Sequence, residues 1–150
     1  MIPDGLASLI RKHEGLSLKP YLCPANKATI GIGHNYDANP LPDVVAHHLD
    51  VFGCITPEMA DQLLEEDIII ASDNCHKLYR DFDKFSERRR WALIDFVFNV
   101  GLTTAKSFYN TNRAINREDW EAAAQGFEKS LWYRQVNHRA VEIVSMIREG

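Results

Sequence analysis

The segment from Glu87 to Val100 constrains this chain most. Trp91, Leu93, Ile94, Phe96, Val97 and Phe98 leave it apolar on most sides. A helix without a polar stripe has to be buried by other elements. Ser86 stands where an N-cap belongs and Gly101 where the helix should stop. The C-terminal remainder supplies cover, since spacing predicts shorter helices over Tyr109–Asn116, Glu118–Lys129 and Asn137–Arg148.

A long helix precedes the buried one. Thr56 is a good N-cap and Pro57 a good first residue, and Met59, Ala60, Leu63, Leu64, Ile68 and Ala71 keep helical spacing to about Leu78. The N-terminal part is different. Pro3 to His13 reads as a helix capped by Asp4, with Leu6, Leu9, Ile10 and His13 on one face. Gly15 then places Glu14 at its C-terminal edge. Leu18, Tyr21 and the run Ala28 to Gly33 predict strands around a Pro24–Lys27 turn, where Asn26 tolerates the left-handed conformation. From Asn35 to Gly53, with Asn39, Pro40 and Pro42, the chain is loop-rich, with one short helix near Val44 to Leu49.

The expected fold is α+β and mostly helical. A small N-terminal lobe (about 12–55) and a larger helical lobe (about 79–150 plus the first helix) are joined by the helix 56–78 within one domain of 150 residues. Two lobes on one helix are expected to leave a cleft, a common place for substrate.

Charge and cysteine usage narrow the function. The formal net charge is −4 and the only basic run is Arg88–Arg90, which argues against nucleic-acid binding. No apolar run is long enough to insert in a membrane. The start Met1-Ile2-Pro3-Asp4 lacks the features of a signal peptide, so a cytoplasmic start is expected. The odd count of Cys23, Cys54 and Cys75 points to free thiols. Together with His47, His48 and His76 they match no paired zinc spacing, so no metal is expected.

Three positions stand out for chemistry. Eight residues separate Glu14 from Cys23 and five separate Cys23 from Thr29. A hairpin beside the first helix would bring them together. Glycosidic hydrolysis needs an acid for the leaving oxygen and a second group that activates water or attacks on the opposite face. Taken singly, Cys23 is an ordinary buried thiol and Thr29 an ordinary strand residue. A Cys23–His34 pair would suggest a thiol hydrolase.

The string His13-Glu14-Gly15-Leu16, with Leu18-Lys19 and Tyr21, then Thr29-Ile30-Gly31-Ile32-Gly33-His34, resembles the T-even phage lysozymes and their endolysin relatives. That family carries Glu, eight residues, Asp or Cys, five residues, then Thr. The resemblance runs on through Thr56-Pro57-Glu58 to Asp67, Arg88-Arg89 to Gly101, Trp120 to Ala123, Ser130 to Tyr133, Gln135, and Asn137 to Ala140. It implies a lysozyme-like fold and a muramidase that cuts between N-acetylmuramic acid and N-acetylglucosamine. Glu14 is then the general acid, Thr29 holds the attacking water, and Cys23 takes the place of the second carboxylate. Arg139 matches the arginine that supports the catalytic Glu, Phe98 and Asn99 match substrate-lining positions, and His34 with Asp67 matches a buried structural ion pair.

Cys23 is left with three roles: nucleophile, weak base or positioning group. An ordinary thiol is mostly protonated at neutral pH, and the Glu14 carboxylate is expected to disfavour a thiolate further. The resemblance implies no cofactor. Its implied partners are peptidoglycan glycan strands, met by a monomer that waits in a host cytoplasm until a holin-type protein releases it. A lytic transglycosylase and an inactive peptidoglycan-binding domain remain as alternatives.

Overall fold

The computed structural model describes residues 2–150. Helix α1 covers Asp4–Glu14, and the hairpin strands β1 and β2 cover Ser17–Leu22 and Ala28–Gly31. Strand β3 is His34–Asn35, and α2 covers Asp43–Phe52. Helix α3 runs over Pro57–Leu78 and is followed by a 3-10 turn at Phe82–Lys84. Then come α4 (Glu87–Lys106), α5 (Tyr109–Asn116), α6 (Trp120–Glu128), α7 (Leu131–Val136) and α8 (His138–Glu149). The fold is α+β and mostly helical, as expected. Among the described residues no helix is long and apolar enough to cross a membrane.

The chain divides into two compact units, one ending at Ile69 and the next beginning at Ile70, with the boundary inside α3. In the first, the strands form an antiparallel sheet of order β1-β2-β3. Its core is Ile30, Val45, Ile55, Ala60 and Leu63, with Leu18, Tyr36 and Leu49 against it. The Thr56 hydroxyl accepts from the Met59 N–H at 3.1 Å, so Thr56 caps α3 as its position predicts. The α1 start differs from expectation. Pro3 holds the N-cap position, and Asp4 lies in the first turn without a side-chain capping bond. There its carboxylate still favours the positive helix end.

The run read as one strand to Gly33 ends at Gly31. Gly31, the last residue of β2, and Gly33 both have φ of +68°, which turns the chain out of the extended path, so Ile32 and Gly33 form a turn into β3. At the other end of the hairpin Asn26 has φ +62° and donates its N–H to the Cys23 carbonyl at 2.7 Å. The left-handed turn predicted there is present.

In the second unit α4 is the axis. Ala92 through Val97 are six consecutive buried residues, and Phe96 meets Phe108, Phe127 and Trp132 at ring distances of 4.8–5.0 Å. The Ser86 hydroxyl caps α4 by accepting from the Arg89 N–H. Gly101, at φ +81°, breaks the helix where a stop was expected, and a last turn continues to Lys106. Arg89 donates from Nε to the Ile147 carbonyl at 2.7 Å and from Nη2 to that of Arg148 at 3.2 Å. Its guanidinium also lies 4.4 Å from the Trp120 ring centre. One partly buried side chain thus satisfies carbonyls at the end of α8 that no helical N–H reaches. Helix α7 was not foreseen.

Candidate active site

Glu14 is the last residue of α1, and the chain turns sharply after it because Gly15 has φ +71°. Its carboxylate packs against Gly33. A Cβ built on Gly33 would lie 2.5 Å from Glu14 Oε2. The glycine that ends the β2–β3 turn is therefore what makes room for the carboxylate.

The register of β1 and β2 places the other two residues. Tyr21 is directly opposite Thr29, and Leu22 opposite Ala28. Just past the strand, the Cys23 N–H donates to the Lys27 carbonyl at 3.0 Å, which extends the pairing. Cys23 and Thr29 therefore share one end and one face of the hairpin. Thr29 is buried and its hydroxyl donates to the Lys27 carbonyl at 2.8 Å. Cys23 is partly exposed, and its sulfur accepts from the Lys27 N–H at 3.4 Å.

These contacts overturn one electrostatic expectation. Burial pushes the Cys23 thiol up, but the N–H groups of Lys27 and Ala25 and the Thr29 hydroxyl outweigh it, and the pKa is lowered. A nest of donors governs this sulfur rather than the Glu14 carboxylate. The Thr29 hydroxyl has one proton, and the Lys27 carbonyl and the Cys23 sulfur compete for it.

His34 and Asp67 form the pair expected of them. His34 Nδ1 lies 2.6 Å from Asp67 Oδ2 and Nε2 lies 2.8 Å from the Asn39 carbonyl. Both partners are acceptors, so only the doubly protonated ring satisfies both. Burial pulls the His34 pKa down, yet Asp67 and the Asn39 carbonyl more than compensate, and the net shift is upward. With both nitrogens occupied, His34 is not a base for Cys23.

In the second unit Arg139 is buried and donates from Nη2 and Nε to Asp95 Oδ1 at 2.6 and 3.2 Å. Asp95 is fully buried. It was not singled out in the sequence, because nothing in the local pattern links residues 44 positions apart. Phe98 and Asn99 are half-buried on α4, and the Asn99 side-chain oxygen accepts from Trp132 Nε1 at 2.8 Å. Trp132 itself is buried in the core.

The remaining candidate ligands are used elsewhere. His48 bonds the Cys54 carbonyl, and His76 bridges the Ser72 carbonyl and Asp83. Among the described residues no group of three His, Cys, Asp or Glu is placed to hold a metal ion. All three cysteines are free thiols.

Fold and residues together define a lysozyme-like α+β protein. The family model described as phage lysozyme matches residues 11–145, and the chain belongs to that family. Membership carries the coarse activity of a glycosidase-type peptidoglycan hydrolase.

Relatives span several settings. The chain is similar to the probable T4-type lysozyme 1 of Dictyostelium discoideum, 24% identical over 98% of this chain and 95% of that protein. It is 28% identical to the endolysin of Acyrthosiphon pisum secondary endosymbiont phage 1, over 93% of this chain and 86% of that one. It is also 28% identical to the pre-baseplate central spike protein Gp5 of Enterobacteria phage T4, of which it spans only 28%.

Proposed function

We propose that this protein is a muramidase of the endolysin type, which hydrolyses the β-1,4 bond between N-acetylmuramic acid and N-acetylglucosamine in peptidoglycan. The observation that carries the reading is the convergence of Cys23 and Thr29 on one end of the hairpin, at the spacing from Glu14 that the family motif requires. Glu14 gives its proton to the leaving glycosidic oxygen. Thr29 holds the attacking water through its hydroxyl oxygen. Cys23 stands for the second carboxylate, and its lowered pKa suits a group that carries negative charge during the reaction. Arg139 is the supporting cation, fixed by Asp95. Phe98 and Asn99 contact the glycan, and Asn99 keeps its amide hydrogens for that purpose because its oxygen is taken by Trp132. His34 and Asp67 serve stability.

The partners in this reading are glycan strands of the wall. The protein acts as a monomer, and a holin-type protein releases it from the host cytoplasm to its substrate.

The test is clearing of purified, outer-membrane-free cell walls by the wild type and by Glu14→Gln, with mass analysis of the fragments. Clearing by the wild type alone, with reducing muramic ends, is the expected result. Anhydro ends would instead assign a lytic transglycosylase. Sedimentation with walls but no cleavage by either protein would assign a binding domain.

A further inference from the structure

Tyr21 belongs to the motif around Glu14, yet the proposed chemistry gives it no part. The hairpin places it among the reacting groups. It lies directly opposite Thr29 across the β1–β2 pair, and residues directly opposite in an antiparallel pair project from the same face with Cβ atoms about 5 Å apart. Cys23 follows it by two positions and continues the pairing through its bond to Lys27, so its side chain emerges on that same face. Tyr21 is only partly buried.

The charges agree with this placement. Burial raises the Tyr21 pKa, and the charges of Glu14 and of Cys23 raise it further. The phenol therefore stays neutral and keeps a proton to donate, beside one group that becomes anionic when it protonates the leaving oxygen and another whose thiolate is favoured. Among side-chain hydroxyls there, the single Thr29 proton is divided between the Lys27 carbonyl and Cys23.

We infer that Tyr21 is a positioning residue whose hydroxyl, on the hairpin face shared with Cys23 and Thr29, steadies negative charge on Glu14 and Cys23 as the glycosidic bond breaks. The inference rests on the roles proposed for those two residues. It predicts a loss on Tyr21→Phe that the retained ring does not prevent.

The experiment compares wild type and Tyr21→Phe in two ways. The first is kcat and KM on purified cell walls across pH. The expected kcat falls about tenfold, the worth of one hydrogen bond to a charged group. KM stays within about twofold, and the pH optimum moves upward because the anions have lost a donor. The second is the rate of iodoacetamide alkylation at Cys23 against pH, read by peptide mass. Its midpoint should rise by about half a pH unit in Tyr21→Phe. A wild-type kcat with an unmoved pH profile would overturn the inference, and so would an unchanged alkylation midpoint. If the wild type cleaves no wall, the muramidase reading fails by itself, and the alkylation midpoint still decides whether the Tyr21 hydroxyl serves Cys23.

Discussion

Gly33 stands against the carboxylate of Glu14 so closely that an added Cβ would lie 2.5 Å from Oε2, at a backbone φ of +68°. Two independent reasons thus require glycine here. Gly33→Ala is expected to cost about 1–2 kcal/mol in urea unfolding through the left-handed backbone alone. Displacement of the acid should lower wall-clearing activity further, by about a hundredfold. Full activity in a folded Gly33→Ala protein would remove the close packing of Glu14 from the mechanism.

Cys23→Asp should retain activity, because it restores a group that is ionised at neutral pH. Cys23→Ala should lose about a hundredfold, the scale of a general base or nucleophile. Wall clearing at matched protein concentration separates the two. Full activity in Cys23→Ala would exclude the thiol from the reaction.

The His34–Asp67 pair makes stability depend on pH. The folded His34 pKa lies above its ordinary value of 6.5. Its contribution is therefore complete below about pH 6.5 and is lost as pH rises through the higher folded value. Asp67→Asn should destabilise the protein by about 3 kcal/mol at pH 6, as breaking a buried pair does. Thermal unfolding at pH 6 and pH 9 should show a wide gap between wild type and variant at the lower pH and a narrower one at the higher. Equal melting temperatures at pH 6 would refute the pair. Activity at a temperature where both are folded should change far less than stability.

Asp95→Ala leaves the buried Arg139 without the carboxylate that receives two of its donors. The expected loss is about 3–5 kcal/mol. Asp95→Asn keeps an acceptor oxygen and should lose less. Chemical unfolding of both variants checks the order, and equal losses would mean that volume rather than charge matters at this position.

With a net charge of −4, the protein has no surplus of cations to hold an anionic wall. Clearing rates should vary less with salt than those of a cationic lysozyme. A steep fall between low and physiological ionic strength would contradict this.

Local chemistry was the most legible part of the chain. Helix α5 runs over the very residues its periodicity indicates, Tyr109 to Asn116. Thr56 and Ser86 cap the helices their hydroxyls announce. Helix α7 escaped because six residues are too few for a period to show. Its one signal was Ser130, whose hydroxyl accepts from the Tyr133 N–H. The strand read through Ile32 and Gly33 failed for a physical reason: an apolar run speaks for burial, whereas two positive-φ glycines decide the path. At the site, the spacing of Glu14, Cys23 and Thr29 was readable. What could not be read were contacts made across the fold, such as Asp95 with Arg139 and Gly33 with Glu14, and the donors around the Cys23 sulfur. Those backbone N–H groups face the sulfur only once the turn at Asn26 has formed.

Arg89 gives the second unit an order of completion. It leaves the first turn of α4 and binds the carbonyls of Ile147 and Arg148, so its hydrogen bonds cannot be made until the chain has been synthesised almost to Gly150. At about 5–20 residues per second, a ribosome needs several seconds to travel from Arg89 to that point. During this interval the apolar flank of α4 waits for its last partner, and the nascent chain is open to chaperones and proteases.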